Sequence, residues 1–310
     1  MDTLRKISAI VMLAVFLATP AGAANLHAIF VIDTDDKNIG QMVARDLGII
    51  GDEVQRIAQA TGLTLVDRVY KGRDFTIENV KGAVNSVAPG PDDVVFFYYS
   101  GHGFRTPPKK SDWPYFFFHS DRAIDFGWVA DTLRSKGARL AISLVDACNN
   151  VVNVNVREEQ KGIPASASNA AAGYKELFLG YKGYVTGASS IPGETSTATG
   201  SGSLFTLSFL KALRNEVAQG QPGWKSLMDN AAGSRLTRQS ANGKIMSQQP
   251  FYRMQASRVA STTTQRPPPP QTPPRPPAPT VQFPRPQPPA QPPAQQPAQQ
   301  FPQGQWVPIN

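Results

Sequence analysis

The two side chains best suited to covalent chemistry are His102 and Cys148. Each lies just past an apolar run bounded by polar or turn-forming residues, 93–103 (DVVFFYYSGHG) and 139–150 (RLAISLVDACNN). An imidazole that accepts a thiol proton, or stabilises the thiolate, makes cysteine a nucleophile for acyl transfer. Buried strands that release such residues at their C-terminal ends belong to an open parallel sheet, where ligands bind outside those ends. If the two strands are neighbours, both side chains leave the same edge and could face each other. Gly101 and Gly103 suit a sharp turn and accessible amides. An amide beside His102 and the amide of Cys148 could then hold the oxyanion of a tetrahedral intermediate.

Cys148 is the only cysteine in 310 residues, which excludes an intramolecular disulfide framework. It is therefore either a buried, inert small hydrophobe or a thiol kept for its reactivity. For His102 the alternative is a structural histidine between two turn glycines. Their placement at two strand ends favours the chemical reading of both, since unrelated structural residues need not coincide in this way. His27 and His119 lack comparable context and read as structural.

The elements that must position the pair follow from periodicity. Residues 26–33 read as a first buried strand. Asn38 caps a helix to about Ala60, with Val43, Leu47, Ile50, Val54 and Ile57 at helical spacing and Gly62 closing it. Residues 63–70 alternate as a second strand and 76–87 form a second helix, before the turn at 89–91 and the apolar run through 93–103. A short strand at 113–119, a helix at 125–136 and the strand at 139–145 follow. Residues 149–173 read as a long loop, 183–188 as a strand, 189–201 as a polar loop, 203–217 and 224–236 as helices, and 250–254 as an edge strand. The order predicts an α/β fold, a mostly parallel central sheet of about six strands with helices on both faces.

The ends of the chain differ from this core. Residues 1–23 have the layout of a signal peptide: basic Arg5 and Lys6, a short apolar stretch at 7–18, and Ala21-Gly22-Ala23 for cleavage. A periplasmic or secreted protein, with no transmembrane segment after cleavage, is expected; the alternative for this segment is an uncleaved membrane anchor. Residues 262–310 are dominated by proline and glutamine from Arg266 onward and read as a disordered, polyproline-II-prone tail. Residues 24–261 then make one domain with a single core. The formal charge of +8 shrinks there, since 26 basic face 22 acidic residues. No basic block is interleaved with aromatics, so nucleic acid is not an expected partner.

Tyr99-Ser100-Gly101-His102-Gly103 and Asp146-Ala147-Cys148-Asn149 resemble the histidine and cysteine motifs of the caspase-like cysteine peptidases, peptidase family C14, in particular the metacaspase branch. Gly187-Ala188-Ser189-Ser190 and Gly202-Ser203-Leu204-Phe205-Thr206 resemble the strand, loop and helix that follow. The 46 positions from His102 to Cys148 fit the caspase spacing of about 50. The resemblance implies a caspase–haemoglobinase fold and a cysteine endopeptidase acting on polypeptides. Cys148 is its implied nucleophile, His102 its acid and base, and the Gly103 and Cys148 amides its oxyanion hole. Metacaspases carry Asp two positions before the cysteine where Asp-cleaving caspases carry Gln. Asp146 therefore implies an S1 carboxylate favouring Arg or Lys through a charge-assisted contact. Ser100 matches a second pocket position. The alternative for Asp146 is a strand-end residue bonded to loop amides.

Asn149-Asn150 departs from the family's usual residues after the cysteine, which leaves the shape of that loop open. Asp33, Asp36, Asp121 and Asp125 are unanchored candidates for further pocket acids. Arg157 and Lys161 are either self-cleavage sites or solvated loop charges. No cofactor is expected; calcium dependence is possible but not readable, because Asp33-Thr34-Asp35-Asp36 lacks a convincing ligand spacing. A competing reading is a catalytically silent caspase-like module whose tail offers a PxxP-type or envelope contact. A nucleotide-binding domain is disfavoured, since no glycine-rich phosphate loop follows the first strand.

Overall fold

The two apolar runs lie side by side at the heart of a six-stranded sheet. The computed structural model describes residues 24–118, 122–149, 170–239, 243 and 245–259. In chain order these form β1 (Asn25–Ile32), α1 (Gly40–Thr61), β2 (Thr64–Lys71), α2 (Ile77–Ser86), β3 (Val94–Ser100), β4 (Gly103–Phe104), β5 (Tyr115–Phe118) and β6 (Arg122–Asp125). There follow α3 (Phe126–Ser135), β7 (Leu140–Asp146), α4 (Ala170–Leu179), β8 (Tyr181–Ala188), β9 (Ala198–Thr199) and β10 (Gly202–Ser203). The chain continues with α5 (Leu204–Val217), α6 (Trp224–Ala232), β11 (Leu236–Gln239), β12 (Ile245–Gln248) and β13 (Phe251–Arg258). The sheet runs β13-β8-β7-β3-β1-β2. Its pairs are parallel except for β13 against β8, as the α/β reading requires.

Every residue of β3 and β7 is buried, because these strands are covered on both faces. Side chains alternate across the sheet with period two. Phe96 and Tyr98 enter the apolar layer under α1, α4, α5 and α6. Phe97 and Tyr99 enter the layer under α2, α3 and the small antiparallel sheet β4-β5-β6. Tyr99 stacks on Phe116 of β5 at 3.9 Å between centroids. Full burial of each such side chain contributes on the order of 2 kcal/mol.

Register decides what this core positions. Ser100 pairs with Asp146, the last residues of β3 and β7. The Gly101 amide continues the ladder to the Asp146 carbonyl at 3.3 Å. The next residues of both strands, His102 and Cys148 among them, therefore leave one edge at the same height.

Several local expectations change. Asn38 does not cap α1: its N-cap is Ile39, with no side-chain cap, and Asp36 Oδ1 instead organises the turn just before the helix, accepting from the Asn38 and Ile39 amides at 2.8 and 2.9 Å. Gly62 closes that helix in the left-handed conformation, φ 79°. The supposed loop 149–173 already contains the start of α4 at Ala170, where three alanines and Gly173 obscured the helical period. Gly173 packs so closely on the backbone of Val217 that a Cβ would lie 2.1 Å from its carbonyl oxygen. The 224–236 helix stops at Ala232, and the β11-β12 hairpin uses the residues beyond. The N-terminal segment 1–23 and the tail 262–310 lie outside the described residues, as do His119, Asp121, Asn150, Arg157 and Lys161. Among the described residues no helix is long and apolar enough to cross a membrane.

Candidate active site

His102 sits between β3 and β4. Its carbonyl is fixed by the Tyr99 hydroxyl at 2.7 Å and the Phe117 amide at 3.0 Å. Both flanking glycines are needed for close approach rather than for a left-handed turn. A Cβ at Gly101 would meet Asp33 Cβ and Tyr99 Oη at 2.8 Å. One at Gly103 would meet the Cys148 carbonyl oxygen at 2.5 Å and Ala147 Cβ at 2.7 Å. The backbones beside the imidazole and the thiol are therefore in direct contact.

The thiol and the imidazole each have another partner. Cys148 Sγ accepts from the Ser196 amide at 3.3 Å and donates to the Ser196 carbonyl at 3.7 Å. Burial pushes the thiol up, the Ser196 amide opposes this, and the Asp146 charge adds to it. His102 Nε2 lies 3.2 Å from Asp36 Oδ2.

Asp146 points back into the protein beneath this pair. Its Oδ1 accepts from Ser196 Oγ at 2.6 Å, and its Oδ2 from the Thr206 amide at 2.9 Å and hydroxyl at 2.8 Å. Ser100, its register partner, donates to Asp46 Oδ2 at 2.7 Å. Asp46, 0% exposed, also receives the Ser203 amide at 2.7 Å and hydroxyl at 2.5 Å. Two carboxylates thus share one buried polar patch under Cys148. Burial raises the Asp46 carboxyl to about 7, with the Asp146 charge adding and the Ser203 and Ser100 hydrogen bonds opposing. Burial raises Asp146 as well, against its Ser196 and Thr206 hydrogen bonds.

Asp46 belongs to none of the sequence motifs, although the sequence carries a signal for it. It lies three residues after Val43 and four before Ile50, on the buried stripe of α1. An aspartate in such a stripe has to find polar partners inside the fold. Of the acids considered for this role, Asp33 is buried at the end of β1 and Asp36 faces His102. Asp125 caps α3 through the Gly127 amide and pairs with Lys109 at 2.6 Å. Asp33, Asp36 and His102 could bring one ligand atom each within 4.8 Å of one another. That set includes a nitrogen and is not the all-oxygen cage calcium takes. The structural reading of His27 agrees with its 3.0 Å contact to Asp93 Oδ2.

Asn149 explains the departure after the cysteine. Fully buried, it donates from Nδ2 to the Asp112 carbonyl at 2.8 Å and the Ser190 carbonyl at 3.0 Å, while Oδ1 accepts from Arg105 at 3.3 Å. Its backbone bonds Glu194 and Gly193. One side chain therefore ties the loop after Cys148 to the loops on either side.

Comparisons with known proteins bear on this geometry. A family profile described as "Caspase domain" matches residues 32–259. Metacaspase-9 of Arabidopsis thaliana is 32% identical over 105 residues, 29% of this chain and 31% of that protein, so the match spans about a third of the relative's length. The crystal structure of caspase-1 from Spodoptera frugiperda aligns with 75% of this chain and 88% of its own at 11% identity, with a TM-score of 0.45.

Proposed function

Because this chain belongs to the caspase-domain peptidase family, whose mostly parallel six-stranded caspase–haemoglobinase fold its sheet follows, we propose that it is a cysteine endopeptidase using Cys148 and His102. The observation that carries the reading is the Ser100–Asp146 register, which delivers both residues to one edge. In this mechanism His102 takes the thiol proton as Sγ attacks the scissile carbonyl. The Gly103 and Cys148 amides hold the oxyanion. Collapse of the intermediate expels the amine, which leaves with the proton from His102, and a thioester remains on Cys148. Water, deprotonated by His102, then hydrolyses the thioester and restores the thiol.

A preference for Arg or Lys at P1 is supported by Asp146 and Asp46, buried together with Ser100 beneath the nucleophile. A cation entering this patch would favour ionisation of both carboxyls, because it offsets the burial that raises each of them and the Asp146 charge that adds to the rise at Asp46. Self-cleavage after Arg157 or Lys161, and export by removal of residues 1–23, belong to the same reading. Mass spectrometry of the mature chain tests both.

The decisive assay incubates the full protein with fluorogenic peptides ending in Arg, Lys or Asp under reducing conditions, with and without calcium. Cleavage after Arg and Lys, absent from Cys148→Ala and His102→Ala, is expected. Activity surviving in Cys148→Ala would refute the assignment, cleavage only after Asp would remove the role of Asp146, and no cleavage at all would favour the silent module.

A further inference from the structure

We propose that Asp36 is a positioning residue for His102, so that the chemistry rests on the series Cys148, His102, Asp36 rather than on the first two alone; this builds on the peptidase reading above. The topology brings the residues together. β1 and β3 pair in register, with Ile32 opposite Ser100 and the Asp33 amide bonding the Ser100 carbonyl at 3.1 Å. The loop after β1 and the loop carrying His102 therefore leave adjacent strands at the same edge.

Asp36 is held in place before it meets the imidazole. Its Oδ1 takes the Asn38 and Ile39 amides in the turn before α1, which leaves Oδ2 for His102 Nε2 at 3.2 Å. Rotation of the carboxylate away from the ring would break both amide bonds. Its charge is held there too: burial alone would raise the carboxyl, but the Ile39 and Asn38 amides and the imidazole bring it below the usual range. The side chain is 15% exposed against 37% for His102, so the carboxylate supports the ring from the protein side. A freely solvated surface pair would contribute little; a carboxylate locked by backbone amides contributes orientation.

The choice of nitrogen gives this contact its consequence. Nε2–H donating to Asp36 fixes the neutral tautomer and leaves the lone pair on Nδ1, the nitrogen that can accept the Cys148 proton. Asp36 does not itself take up that proton. It holds the ring and stabilises the imidazolium formed when the thiol ionises.

The test uses Asp36→Asn in the full chain. The new side chain keeps an oxygen for the Asn38 and Ile39 amides but turns an NH2 donor toward Nε2, so the helix start is retained while the ring is driven to the Nδ1–H form. Nitrogen-15 NMR of labelled histidine, assigned against His102→Gln, is expected to show Nε2–H in the wild type and Nδ1–H in the variant. On an Arg peptide kcat should fall about 10- to 100-fold with KM within about twofold. An unchanged kcat overturns the proposal. So does a fall in kcat without the tautomer switch, which would reduce Asp36 to a residue that only shapes the turn before α1. If no peptide is cleaved by the wild type, the peptidase reading fails separately. The tautomer comparison and the rate of Cys148 alkylation by iodoacetamide near neutral pH, expected to slow about tenfold in the variant, then decide; no change in both overturns it.

Discussion

Ser196 lies directly on Cys148, its amide donating to Sγ at 3.3 Å while its hydroxyl bonds Asp146 Oδ1 at 2.6 Å. A single residue of the 189–199 connection thus occupies both the thiol and one carboxylate beneath it. Any occupant that reaches them has to displace it. Ser196→Gly removes the hydroxyl anchor but keeps the amide. Alkylation of Cys148 by iodoacetamide is expected to accelerate roughly tenfold, equivalent to the loss of about one hydrogen bond of 1–1.5 kcal/mol. An unchanged rate would mean that the hydroxyl does not hold this segment over the thiol.

Asp46 predicts opposite pH trends for stability and for activity. Its carboxyl stands at about 7 instead of 3.8, so the folded state binds its proton more tightly than the unfolded state does. The resulting stabilisation is fully present below the unfolded value and is lost as pH rises through about 7. Asp36 and Asp93 are lowered and act in the other direction, with stability present above the usual carboxylate range and lost on acidification. Asp146, also raised by burial, acts in the same direction as Asp46, so Tm should decline as pH rises through about 7 in wild type but less steeply in Asp46→Asn. Activity on Arg peptides should instead rise through about 7 as the carboxylate becomes charged. A Tm profile unaffected by Asp46→Asn would show that this carboxyl does not titrate there.

For Asp146 the prediction concerns specificity. Asp146→Ala removes a buried carboxyl from beneath Cys148 and leaves the Thr206 amide and hydroxyl unpaired. Losing one partner of a buried charged pair typically costs about 2–5 kcal/mol, so kcat/KM for Arg and Lys peptides should drop by about 30-fold or more. Parallel thermal melts separate this loss from unfolding. A variant equally active on Arg peptides would refute the pocket.

Asn149→Ala should act mainly on stability. It deprives the carbonyls of Asp112 and Ser190 of buried donors and removes the acceptor of Arg105. At about 1–3 kcal/mol for each buried group left without a partner, the loss should be roughly 2–4 kcal/mol in denaturant unfolding. A change below 0.5 kcal/mol, the scale of ordinary surface substitutions, would show that the loops hold together without this side chain.

The core strands were legible from local sequence because β3 and β7 are buried on both faces, and full burial leaves an uninterrupted apolar run. His102 and Cys148 were legible for the same reason, being the first chemically active side chains after such runs end. The helical stripe of α1 is visible too, but its apolar spacing does not by itself single out Asp46. Its partners are Ser100, 54 residues away, and Ser203, 157 residues away. No local period encodes a contact over that distance. Asp36 likewise stood in an acidic cluster with nothing to single it out from Asp33 or Asp35. Pairing of β1 with β3 selected it, by bringing two loops to one sheet edge. The sequence by itself determined which residues could react and which strands carry them, since burial and side-chain period are written locally. Only the tertiary structure decided what surrounds those residues: Asp36 against the imidazole, Ser196 over the thiol, and Asp46 beside Asp146. Charges and hydrogen bonds between distant segments depend on strand order and register, which no single segment contains.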